Sequence, residues 1–110
     1  MNDYYQKDQL KRFGDIATGH PELGAKFFDY YAKVFEEGAL TQREKSLIAL
    51  AVAHTVQCPY CIDAYTSESQ RLGADLEQMT EAIHVAVAIR GGASLVHGMQ
   101  MLDQASKAGM

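Results

Sequence analysis

The strongest constraint on the fold lies at the centre of the chain. There Thr41-Gln42-Arg43-Glu44 precedes the unbroken apolar run Leu47-Ile48-Ala49-Leu50-Ala51-Val52-Ala53. Thr41 and Glu44 have the spacing of a capping box, in which each side chain satisfies an exposed backbone donor of the other. A run of seven apolar residues suits a buried strand as well as a helix. The cap, the flanking length and the alanine content favour a helix, and the all-round apolar character predicts one buried on every side. Pro59 cannot continue that helix, so the spacing predicts a break near Gln57-Cys58 and a new helix with Pro59 in its first turn.

The same logic predicts an all-α, single-domain bundle of six helices over residues 1–110. The first spans about Lys7 to Ile16, with Leu10, Phe13 and Ile16 on one face. The second starts at Pro21, carries Leu23, Phe27, Tyr30, Tyr31 and Val34 along one face, and stops at Gly38. The fourth ends at Gly73. The fifth is capped by Asp75-Leu76-Glu77-Gln78 and has Met79, Ala82, Ile83, Ala86 and Val87 as its apolar face. Gly91-Gly92 is expected to turn the chain into a sixth helix carrying Leu95, Met99 and Leu102.

The net charge is −4, with acids and bases interspersed and no basic run or stripe. Neither nucleic acid nor an anionic membrane is therefore expected as a partner. The N-terminal residues have no apolar segment of signal-peptide type, so neither a signal peptide nor a membrane-spanning stretch is expected. These features predict a cytoplasmic protein, in a compartment where thiols stay reduced. The aromatic cluster Phe27, Phe28, Tyr30, Tyr31 and Phe35 is more apolar surface than so short a chain can cover, which predicts a homo-oligomer.

The chain has two cysteines, and both stand in Cys58-Pro59-Tyr60-Cys61. At a helix start, unpaired backbone N–H groups and the helix dipole favour a thiolate, whose pKa can fall from about 8.5 to roughly 3.5–7.5. The spacing lets one sulfur trap a sulfenic acid or mixed disulfide formed on the other. The alternative is a pair of inert core residues. A zinc site needs further ligands, and His20, His54, His84 and His97 lack tight spacing, so neither metal nor organic cofactor is expected. A thioredoxin arrangement needs a strand before the dithiol, where this chain has a helix.

The segments Leu40 to Lys45, Leu47 to Ala53 and Cys58-Pro59-Tyr60-Cys61-Ile62-Asp63-Ala64 resemble the core of the carboxymuconolactone decarboxylase superfamily, alkylhydroperoxidase D type. The stretch from Glu81 to Ala93 extends the resemblance. Pro21-Glu22-Leu23 to Phe27-Phe28-Asp29-Tyr30-Tyr31 is similar to short peroxidase-like proteins of arsenosugar biosynthesis clusters. The resemblance implies an all-helical trimer or hexamer that reduces a small hydroperoxide and is recycled by a thiol reductant or carrier protein. It implies that Cys61 attacks the peroxide and Cys58 closes the disulfide. That family carries a Glu twelve residues before the first cysteine and a His four residues after the second, as a proton relay. Here those positions are Ser46 and Tyr65.

Three residues are candidates to stand in for the relay. Tyr65 lies one helical turn past Cys61 and can hydrogen-bond a thiolate or peroxide, or simply pack. His54 precedes Cys58 by four residues and is either a base or a core histidine bonded to a carbonyl. Glu44 is either a catalytic carboxylate or only the capping-box acid. Two rival functions remain: lyase chemistry on a lactone, as the superfamily name suggests, and non-enzymatic binding of a thiophilic ligand such as arsenite.

Overall fold

The computed structural model describes residues 13–109. A 3-10 helix, Phe13–Gly19, leads into four α-helices: α1 Pro21–Val34, α2 Gln42–Val56, α3 Pro59–Arg71 and α4 Leu76–Lys107. No strand occurs among the described residues. The part of the expected first helix before Phe13 lies outside them, and the part within is the 3-10 helix.

Each α-helix starts where its side chains satisfy exposed backbone donors. His20 Nδ1 accepts from the Leu23 N–H at 3.3 Å, with Pro21 in the first turn. Thr41 and Glu44 close the capping box at 3.0 and 2.8 Å, and Asp75 and Gln78 close another at 2.8 and 3.0 Å. Gly73, at φ 90°, makes the left-handed turn between α3 and α4. Gln57 does the same between α2 and α3 at φ 57°, where a side chain costs about 1–2 kcal/mol. That turn sets Cys58 at the head of α3.

The core lies where α2, α3 and the first turns of α4 meet. Leu50, 1% exposed, packs with Ala74 and Met79, and Leu47 and Tyr65 flank them. Ser46 and Ser69 are fully enclosed. Ser69 Oγ donates to Ser46 Oγ at 3.3 Å, and Ser46 Oγ donates to the Arg43 carbonyl at 2.7 Å. Small hydroxyl side chains let α2 and α3 approach closely without orphaning a polar atom. Arg90 on α4 donates to the Thr55 carbonyl at 2.7 Å, tying α4 to the C-terminal turn of α2.

Three expectations are corrected. The predicted fifth and sixth helices are one: α4 runs 32 residues through Gly91-Gly92 without a turn. The glycine pair costs about 1 kcal/mol per residue against alanine, but neither adopts positive φ, and the helix formers on both sides carry the helix through. α2 is not buried on every side, because Ile48 and Val52 are about half exposed (50% and 52%). Finally, α4 does contain an apolar window, of mean hydropathy 1.2, long enough by length and composition to cross a membrane.

Gly24 carries a local prediction. A Cβ there would lie 2.8 Å from Ala17 Cα and overlap the Ala17 methyl. Overpacking costs about 1–3 kcal/mol, whereas alanine gains about 1 kcal/mol within a helix. The 3-10 segment is expected to lift off rather than the fold to fail. In Gly24→Ala, hydrogen exchange at the His20 N–H, bonded to the Ala17 carbonyl at 3.2 Å, should accelerate about tenfold with overall stability nearly constant. Unchanged exchange would show that the contact is accommodated.

Candidate active site

α3 opens with Cys58 as its N-cap residue, followed by Pro59. Cys58 Sγ accepts the Cys61 backbone N–H at 3.3 Å, as a Ser or Asp oxygen does at other helix starts. Both thiols are free and half-buried. Burial first, then a hydrogen bond to Cys58 and the charge of that neighbouring sulfur, push the Cys61 thiol up to about 12. Cys61 is thus held in its protonated form.

Two cavities meet at an aromatic partition. One, of about 480 Å³, is nearly all apolar, with Val34, Leu40, Ile48, Val52 and Cys61 in its wall. Lys45 also lines it, but its ammonium donates to the Val34 and Glu36 carbonyls at 2.7 and 2.6 Å. The other, of about 440 Å³, is more polar and is lined by Gln42, Ser46, Tyr60 and Glu68. Tyr31, Phe35 and Tyr65 border both.

The Phe35 and Tyr65 rings stack with centroids 5.1 Å apart, and Tyr31 leans on Phe35 at 5.2 Å. The Tyr31 and Tyr65 hydroxyls are hydrogen-bonded to each other. Burial, reinforced by that bond, moves the Tyr65 phenol above its usual range, so Tyr65 is a neutral hydroxyl at every physiological pH. Burial likewise raises Tyr60, and the two sulfurs add to the shift. Tyr31 is the residue the sequence analysis missed as a site residue, since its partner stands 34 positions away.

The remaining candidates are placed as follows. Cys61 and Tyr65 share the wall of the apolar cavity. His54 Nδ1 donates to the Leu50 carbonyl at 2.8 Å within its own helix. Glu44 is exposed in the capping box, and its bonds to Thr41 hold its carboxyl below the usual range. His84 and His97 are exposed on α4, and Glu68 forms an ion pair with Arg71.

Residues 21–104 match the carboxymuconolactone decarboxylase family, and the chain belongs to that family. It is 49% identical over 102 residues to uncharacterized protein 4 in the cox locus of Paracoccus denitrificans, covering 93% of this chain and 92% of that one. An uncharacterized protein of Cupriavidus necator is 26% identical, with 84% and 81% covered. Among solved structures, a Methanobacterium thermoautotrophicum protein superposes with a TM-score of 0.74 at 30% identity, over 78% of this chain and 97% of that one. An apo carboxymuconolactone decarboxylase family protein of Legionella pneumophila superposes at 0.68 and 32% identity, over 88% and 87%. These similarities reach the family and not its arsenosugar-associated branch.

Proposed function

We propose that the protein is a dithiol oxidoreductase that reduces hydroperoxides. The reduced pair converts a hydroperoxide to its alcohol and water, and is left as a Cys58–Cys61 disulfide. An external thiol reductant or carrier reopens it, in the reducing compartment expected for this chain. The observation that carries this reading is the sulfur pair itself: Cys58 caps α3 and accepts the Cys61 N–H, beside a cavity that Cys61 lines. Lactone decarboxylation would instead call for a cation free to grip a carboxylate. The Lys45 ammonium, lining the apolar cavity, is already engaged by two carbonyls.

The test uses tert-butyl hydroperoxide and the fully reduced protein. Hydroperoxide consumption is expected to match disulfide formation mole for mole, and to become catalytic with a dithiol reductant. A protein with Cys58→Ser and Cys61→Ser together is expected to consume none. Equal consumption by that double variant would reject the proposal.

The physiological assembly in this proposal is a homo-oligomer. Beyond Arg90, α4 is left with Leu95, Val96, Met99, Met101 and Leu102 exposed. An isolated helix of that length is marginal in water. The same chain offers an open apolar groove between α1, α2 and α3, so a second copy supplies complementary surface.

A further inference from the structure

We infer that Cys58 is the sulfur that attacks, and that Cys61 supplies the proton and then resolves the product. This order is opposite to the one the family resemblance implies, and it rests on the proposed hydroperoxide reduction. Two placements carry it. Cys58 Sγ sits at the N-terminus of α3 and accepts the Cys61 backbone N–H at 3.3 Å, a position that stabilises negative charge on that sulfur. Cys61, one turn further in, lines the apolar cavity behind the Tyr31–Tyr65 partition, where a charge would be poorly solvated.

The groups around the pair fit this order. Tyr60 and Tyr65 are raised phenols and stay neutral, so neither removes the Cys61 proton. Arg90 brings a cation to the Thr55 carbonyl, three residues before Cys58, at the α2–α3 junction. His54 has Nδ1 committed to Leu50. A family-type carboxylate–imidazole relay is missing because Ser46 and Tyr65 occupy its positions. In this chain the proton comes from the second thiol.

The steps balance as follows. Cys58 thiolate attacks the distal oxygen, the O–O bond breaks, and Cys58 becomes a sulfenic acid. The departing alkoxide takes the Cys61 S–H proton and leaves as the alcohol. Cys61 thiolate then attacks the Cys58 sulfur, the S–O bond breaks, and hydroxide takes a solvent proton to leave as water. Two thiols are oxidised to one disulfide and one hydroperoxide is reduced.

The experiment follows each sulfur separately. Reduced wild-type protein is pulsed with iodoacetamide from pH 5 to 10, and tandem mass spectrometry locates the label. Cys61 is expected to titrate above the ordinary thiol value of about 8.5, and to be labelled at least tenfold more slowly than Cys58 at pH 7. A rate limited only by access would lower the plateau for Cys61 without moving its midpoint, so the midpoints decide. In parallel, Cys61→Ala and Cys58→Ser are exposed to tert-butyl hydroperoxide with dimedone. Serine keeps the N-cap of α3, so Cys58→Ser retains the helix start. A dimedone adduct is expected on Cys58 in Cys61→Ala, and at least tenfold less on Cys61 in Cys58→Ser. A lower midpoint at Cys61, or faster sulfenic acid formation there, overturns the assigned order while leaving hydroperoxide reduction standing. Failure of the wild-type dithiol to oxidise at all overturns both.

Discussion

Leu50→Ala is expected to remove about 3 kcal/mol of stability and to lower the melting temperature by about 10–20 °C. Leu50 is 1% exposed and joins α2 to Ala74 and Met79. Its side chain fills the space between three elements, none of which can collapse without moving its own caps. The lost transfer free energy and the residual cavity therefore add. The effect should reach the site, because Tyr65 packs on the same cluster and carries the Phe35 stack. Near-ultraviolet circular dichroism of the tyrosines should weaken along with the melting point. Leu76→Ala, at a position 76% exposed, is the control and should stay within about 0.5 kcal/mol. Thermal melts at one fixed protein concentration make the comparison, since assembly would otherwise shift the transition. A loss below 1 kcal/mol for Leu50→Ala would mean that the α2–α3–α4 junction is not the stabilising core.

The local signals in the sequence were the informative ones. Thr41 and Glu44, Asp75 and Gln78, and Pro59 behind Cys58 each act within one turn of backbone, and their spacing alone marked where α2, α4 and α3 begin. Gly73 likewise marked the end of α3, since its left-handed φ suits a residue without Cβ. Gly91-Gly92 misled because a glycine pair permits a turn without requiring one. With Ala88 and Ile89 before it and Leu95 after it, continued helix won. The Leu47–Ala53 run misled differently. Its composition reports how much apolar surface must be covered, not whether the cover comes from the same chain, and Ile48 and Val52 remain half open.

The site was legible as a dithiol and no further. Spacing put Cys58 and Cys61 in one turn, but the inequality between them comes from tertiary placement. One sulfur caps a helix while the other lines a cavity built from α1, α2 and α3. Tyr31 on α1 meets Tyr65 on α3 through a tertiary contact that has no periodic signature. His54 had two readings open from its spacing. Its bond to the Leu50 carbonyl accounts for one ring nitrogen, as a histidine on an otherwise apolar helix face requires.

Leu95→Glu combined with Met99→Glu is expected to convert the assembled protein to a folded monomer. Leu95 and Met99 are 79% and 58% exposed, one turn apart on the part of α4 beyond the core. In an isolated monomer, charges at such positions change stability by no more than about 0.5 kcal/mol. Between two apolar surfaces each unpaired carboxylate costs several kcal/mol, so association should weaken by at least about a thousandfold. The same substitutions are thus nearly silent in one situation and decisive in the other. The core residues of α4, Met79 and Ala86, lie at its opposite end, so helicity and the melting of the α2–α3–α4 junction should survive. Sedimentation at micromolar concentration reads the result, with the wild type heavier than 12.1 kDa and the variant at that mass. A wild type that already sediments as a monomer would remove the second copy as the cover. If that monomer also pelleted with lipid vesicles, the apolar window of α4 would have found a membrane instead. An assembly unmoved by both glutamates would mean that the exposed apolar side chains of α4 beyond Arg90 are not the interface.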